Sequence, residues 1–290
     1  NRTQQRHRLL AFSFAVIKKY DEDETGRQAA LLTYYGFLSL FPLLLVLTTL
    51  TGFIATSHSE LHASIVEGMT NYFPVLGSQL SSHVNTLQDS GLALVVGILF
   101  TLYGARGVAD AFRHSIQDFW KIPKRQRPGF PKSTFQSIII ILIAGLGFVV
   151  ASLSIAVAGA ASHGLLLKVL TIAINLGIWA GLFVLLLNIS LPRHVPFKET
   201  RAAALTAAVG LVILQTLGGY LLKRELQHLD ALYSYFAVAL GLLFWIYLQV
   251  QVVFYALQIA AVGSQRLWPR SISGDSPTRA DKIAQKNSGF

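Results

Sequence analysis

The stretch LLTYYGFLSLFPLLLVL, residues 31–47, decides the fold. Most of it is apolar enough for lipid, and a bilayer core takes about 20 such residues as one helix. Tyr34, Tyr35, Ser39 and Pro42 interrupt it. Proline removes one helical hydrogen bond and clashes one turn back, so Pro42 is expected to free the Leu38 carbonyl and bend the helix. Such a bend survives in a membrane when neighbouring helices, hydroxyls or water take up the freed group. Tyr35, Ser39 and Pro42 fall on one face, which therefore turns toward protein or water. It either lines a cavity or packs on another helix.

The rest of the chain agrees with a membrane setting. Of 290 residues, 53% are hydrophobic and 13% charged, against about 25% charged in soluble domains. The expected fold is all-α and polytopic, with six spans near 29–55, 91–104, 135–161, 165–191, 202–222 and 235–263. The second is short unless it continues through Arg106 toward Phe112. Domain boundaries follow: a segment 1–28 with an interfacial helix, a membrane domain 29–263 with an outer loop 56–90, and a disordered tail 264–290. That tail is rich in Ser, Pro, Lys and Arg.

Lys and Arg set the topology, because cytoplasmic loops carry the excess. Alternate sides hold 21 and 3 of them, with none in the outer loop. Both termini are therefore expected on the cytoplasmic side. The net charge of +10 then reflects an anionic cytoplasmic leaflet as partner, with no nucleic acid. Leu9, Leu10, Ser13, Val16, Ile17 and Tyr20 recur at helical spacing and suggest a short amphipathic helix on that leaflet. Leu76, Leu80, Val84 and Leu87 form a second apolar stripe in the outer loop.

Polar side chains inside spans are the candidate functional residues. Arg106, Asp110 and Arg113 share one helix face. Two arginines could hold a phosphate or carboxylate, or the cluster is neutralised by Asp110 and reaches the interface. Tyr247, Gln251, Tyr255 and Gln258 form a stripe down the last span, with Gln249 off it. Unpaired amides in hydrocarbon are costly, so the stripe faces a translocation path or other helices. Gly147 with Ala151, and Ser152 with Ala156, have the small-residue spacing of close helix contacts.

Catalytic signals are absent. Cysteine is missing, no P-loop or nucleophile elbow occurs, and His58 and His62 lack the residue order of a zinc-protease motif. No metal, cofactor or enzymatic role is expected.

Four segments, AALLTYYGFLSLFPLLLVL, LYGARGVADAFRHSIQDFW, LPRHVPF and YFAVALGLLFWIYLQVQVVF, resemble the YihY/BrkB family of bacterial inner-membrane proteins. The resemblance runs over roughly residues 10–265. It implies a six-helix membrane protein. Members have been linked to serum resistance, envelope lipid export and osmolyte transport, and the family once carried a ribonuclease label that no residue here supports. Many members end the last span with Gly-Ala-Glu, where this chain has Gln258; an amide cannot take or release a proton as a carboxylate does. The leading expectation is transport of a lipid headgroup or small solute along Tyr35, Ser39, Pro42, Tyr247, Gln251, Tyr255 and Gln258. Arg106, Asp110 and Arg113 would form the anion site. The competing expectation is a non-transporting membrane scaffold or envelope-integrity protein, and under either expectation a second copy of the chain is an open partner.

Overall fold

The computed structural model describes residues 7–55, 91–160, 165–192, 195–226, 234–272 and 277–288. Among the described residues the regular structure is helical, with no strand. The helices are α1 (Arg8–Glu22), α2 (Thr25–Ala55), α3 (Gly91–Phe119), α4 (Lys132–Ala160), α5 (Leu165–Ser190), α6 (Phe197–Leu226), α7 (Ser234–Ser264) and α8 (Arg279–Ser288).

Among the described residues, five helices are long and apolar enough to cross a membrane: Val95–Phe119, Lys132–Ala151, Val169–Ser190, Phe197–Gly218 and Ala239–Ser264. The short second span is in fact a 29-residue helix running on through Arg106 to Phe119. Its charges pair with one another and with α4, so they do not end it. The first expected span falls in α2, one helix of 31 residues that continues through Pro42. The Pro42 side chain lies outside the described residues. So do His58, His62 and the outer-loop stripe Leu76–Leu87.

The long helices pack in chain order, each on the next, and α7 returns to α2. The result is a closed ring, and α1 lies across α7 and α2 at one end of it. Leu99, Leu146, Val169, Leu217 and Phe244 stand exposed on the outside of the ring. So much contiguous apolar surface marks a face covered by lipid.

Helix contacts are made close by small residues. A Cβ on Gly104 would lie 2.5 Å from the Ser39 Cβ, and one on Gly107 would lie 2.4 Å from Tyr35 Cδ1. The two glycines, one turn apart on α3, therefore let α2 and α3 touch where Tyr35 and Ser39 project. On α4, Ala151 is fully buried, and a Cβ on Gly147 would meet Leu182 Cδ1 of α5 at 2.5 Å. That atom is the end of a flexible side chain. Gly147→Ala is therefore expected to lower the thermal midpoint only slightly, by a free energy of about 1 kcal/mol, in a detergent melt.

The tail departs from the expected disorder. Leu267, Arg270, Ser271, Ala280 and Asp281 are buried, and 279–288 is helical. The reason is local: Thr278 and Asp281 form a reciprocal cap, the Asp281 N–H donating to Thr278 Oγ1 at 3.2 Å and the Thr278 N–H to Asp281 Oδ2 at 3.0 Å. The predicted α1 stripe also divides. Leu9, Leu10 and Ile17 are exposed, whereas Ala11, Ala15, Val16 and Lys19 form the face that packs on protein.

Candidate functional site

The helices of the ring line an open cavity of about 350 Å³ to which all of α2–α7 contribute. Leu32 and Ser39 come from α2, Ala105 and Phe112 from α3, Ile140 and Ala144 from α4. Trp179 and Phe183 of α5, Leu211 of α6, and Gln249 and Val253 of α7 complete the wall. Among the described residues, the wall carries no polar side chain apart from Ser39, Trp179 and Gln249. Toward the α1 end it gives way to fully buried Ile116, Phe119, Leu187, Phe254 and Leu257. The Phe119 and Phe254 rings meet edge to face at 5.2 Å. That end is a plug.

Beneath the plug is an ionic node. Lys19, only 1% exposed, donates to Asp23 Oδ2 at 2.5 Å and to the Phe119 carbonyl at 3.0 Å. That carbonyl belongs to the last turn of α3, where a cation also meets the negative end of the helix dipole. Lys121 Nζ lies 2.6 Å from Asp23 Oδ1. It reaches there because Lys121 follows the end of α3 in the left-handed region, φ 51, a position glycine usually takes. Gln258 completes the set, donating to Asp23 Oδ2 and to Thr25 Oγ1, each at 2.9 Å. One aspartate thus holds two lysines, and Gln258 supplies a donor to it where a carboxylate would add a second negative charge. Burial pushes the Lys19 pKa down, Asp23 pushes it back up, and the net direction is down.

The α7 stripe meets α1 and not the cavity. Tyr20 donates to Gln251 Oε1 at 2.5 Å, Gln251 Nε2 donates to Tyr247 Oη at 2.5 Å, and the Tyr20 and Tyr255 rings stack at 4.3 Å. Gln258 lies one turn further along, in the node. Gln249, off the stripe, is the α7 amide that reaches the cavity. On α2, Ser39 lines the cavity and donates to the Gly36 carbonyl at 2.9 Å. Tyr35 opens onto a separate lateral cleft. The described path residues are therefore divided among four places: the α1 contact, the node, the central cavity and the lateral cleft.

The arginine cluster also divides. The Arg113 side chain is 3% exposed; it donates to Asp110 Oδ1 at 3.0 Å and, more loosely, to Gln136 Oε1 at 3.5 Å. Ser137 donates to the same Asp110 oxygen at 2.5 Å. Gln136 and Gln117 in turn donate to the Ile189 and Ser190 carbonyls, which the end of α5 leaves without helical partners. Arg113 is thus a structural clamp between α3 and α4. Arg106, at the outer rim, remains 57% exposed.

Lys19, Asp23, Lys121, Arg270 and Asp281 were not among the expected site residues. Lys19 and Asp23 carry the i, i+4 spacing of a helical ion pair, and the Thr278-x-x-Asp281 spacing is that of a cap; nothing local points to Lys121 or Arg270.

Comparison with known proteins is consistent with this architecture. A family model described as "Virulence factor BrkB" matches residues 16–280. The inner membrane protein YhjD of Escherichia coli (strain K12) is 23% identical over 92% of this chain and 85% of its own. A UPF0761 membrane protein of Psychrobacter sp. (strain PRwf-1) is 24% identical over 88% of this chain, which spans only 48% of that longer relative. No solved structure matches this chain.

Proposed function

The chain belongs to the BrkB family of membrane proteins, and from that premise we propose a transport-class protein of the bacterial inner membrane that carries an amphiphile. The observation behind the reading is the apolar cavity shared by α2–α7 and plugged at one end. In this reading α2 is the sixth span. The 21-to-3 division of Lys and Arg puts both termini in the cytoplasm, so the plug closes the cytoplasmic side.

The wall selects the cargo class. A cavity of about 350 Å³ lies within the roughly 300–1,000 Å³ of ligand pockets. Its lining would leave most polar groups of a small solute without partners, which costs about 1–3 kcal/mol each in proteins. A lipid chain meets no such penalty. Ser39 and Gln249 are placed to orient a linkage near the chain.

The test is translocation of headgroup-labelled phospholipid in proteoliposomes. Ala144→Phe, which fills the cavity with a ring, is expected to lower the rate at least 10-fold while leaving the thermal midpoint nearly unchanged. Equal rates for the variant and the parent protein would end the cavity reading. A second reading, a non-transporting scaffold, draws on the polar stripe of α7 being bonded to α1 through Tyr20. Absence of any protein-dependent translocation in folded protein would favour it.

A further inference from the structure

The lateral cleft between α2 and α3 is distinct from the central cavity. It encloses about 340 Å³ and is lined by Leu31, Tyr35, Tyr103, Arg106, Asp110 and His114, among others. We propose that it binds an anionic phospholipid, with the Arg106 guanidinium on the phosphate and the acyl chains along the outer faces of α2 and α3.

Charge accounting leads there first. Among the described residues, Asp110 is the only carboxylate in the cleft wall, and its Oδ1 is committed to Arg113 and Ser137. Its Oδ2 lies 3.6 Å from Arg106 Nε, beyond hydrogen-bond distance. The remaining Arg106 contact, to Thr134 Oγ1, is long at 3.5 Å. Two guanidiniums against one carboxylate leave a net positive charge, and it resides on the exposed member. Arg106 therefore keeps a fork of donors suited to bidentate phosphate.

Depth and surroundings select a lipid as the source of that phosphate. Thr134 is in the first turn of α4, two residues after Lys132. The Arg106 stem thus carries its charge toward the polar boundary of the bilayer while its backbone stays within a membrane-crossing helix. Around it, Leu31, Tyr34, Leu99, Leu102 and Tyr103 are exposed, and Tyr34 and Tyr35 pack edge to face at 5.5 Å. Tyrosines concentrate at headgroup level, and the leucines offer the acyl chains a wall. With Asp110 already engaged, no described residue of the cleft wall is left to receive a choline or ethanolamine cation, so a headgroup of net negative charge is favoured.

The inference rests on α3 crossing the membrane and not on the central cavity carrying cargo, so flux and binding can fail separately. The experiment is a thermal melt of the full chain in nonionic detergent with added phosphatidylglycerol, phosphatidylcholine or inorganic phosphate. Phosphatidylglycerol is expected to raise the midpoint by several degrees, phosphatidylcholine by less than half as much, and phosphate not at all. Arg106→Gln should raise the half-saturating phosphatidylglycerol concentration about 10-fold. His114→Glu, which adds a negative charge at an exposed rim position, should raise it by a similar factor. Lys282→Gln, at an exposed site on α8, should leave it unchanged. The proposal is overturned if Arg106→Gln and His114→Glu both respond like the parent protein. It is also overturned if phosphatidylcholine equals phosphatidylglycerol, or if phosphate alone reproduces the shift, which would make the site one for a free anion.

Discussion

Asp23→Ala is expected to lower stability by about 3–5 kcal/mol, the usual cost of removing one partner from a buried ion pair. In a detergent melt this corresponds to a midpoint lower by roughly 10 °C. The magnitude follows from what is left behind. Lys19 and Lys121 would face each other without Asp23 between them, and Gln258 would lose the carboxylate acceptor that holds it beside Thr25. Lys19→Met should behave very differently, costing less than about 1 kcal/mol. Burial dominates the lowered Lys19 pKa, which means that the charge is held against its desolvation cost. Replacing a whole buried ion pair by apolar groups is commonly neutral or better, and the cost of removing one partner comes from the charge left uncompensated, which Lys19→Met does not leave. Asp23 would keep Lys121 and Gln258, and the Phe119 carbonyl would keep Gln265, which donates to it at 3.2 Å. Combining Asp23→Ala with Lys19→Met should therefore recover most of the loss. If both single variants cost the same, the node is an ordinary ion pair and the account of its asymmetry is wrong.

The ring helices were largely legible because hydrophobic runs of membrane length are long and strongly biased. The continuation of α3 through Arg106 was legible only as an alternative. Three ionisable groups argue against a span until Asp110 is seen to take Arg113, and that contact also involves Ser137, 27 residues away. The polar stripe of α7 was visible as periodicity, which assigns residues to a face but not to a partner. Its partner, Tyr20, is 231 residues from Gln251, and no local pattern reports that distance. Gln249 shows the same limit from the other side. It stands alone off the stripe, yet it is the α7 amide that reaches the cavity. In α1, alanines outrank leucines as core residues. Ala11 and Ala15 are almost fully buried while Leu9 and Leu10 are exposed, because a helix laid closely across others presents its small residues to them and its large apolar ones to lipid. The tail misleads through composition: a reading that weighs Ser, Pro, Lys and Arg overlooks one cap at Thr278 that starts a helix.

That helix supports the second large effect, since a single carboxylate fastens it to α1. Asp281 accepts from Arg270 Nε at 2.8 Å, from the Ser271 and Thr278 N–H groups at 2.9 and 3.0 Å, and from the Thr278 hydroxyl at 2.8 Å. Lys18 adds an ion pair at 3.3 Å. Arg270 reaches on to Glu22 through two hydrogen bonds of 3.0 and 2.7 Å. Burial alone would raise the Asp281 pKa, but Arg270, Thr278 and Ser271 outweigh it and hold the carboxyl well below the ordinary range. A depressed carboxylate pKa contributes stability above its unfolded value, about 3.9, and loses it as pH falls through the folded value. The clasp is therefore expected to be at full strength at neutral and mildly acid pH and to weaken only in strong acid. Asp281→Ala removes it at every pH. Charge-assisted hydrogen bonds contribute about 1.5–3 kcal/mol each, and losing even about 2 kcal/mol of local stability raises the open population of α8 roughly 30-fold. Trypsin cleavage after Arg279 and Lys282, which requires that opening, should accelerate by about the same factor at neutral pH. The melting midpoint of the helix ring should barely change, because α8 packs outside it on α1. Parent-like cleavage in Asp281→Ala would mean that Phe12, Arg8 and Trp268, which meet in an edge contact at 6.0 Å and a cation contact at 5.8 Å, hold the tail without the clasp.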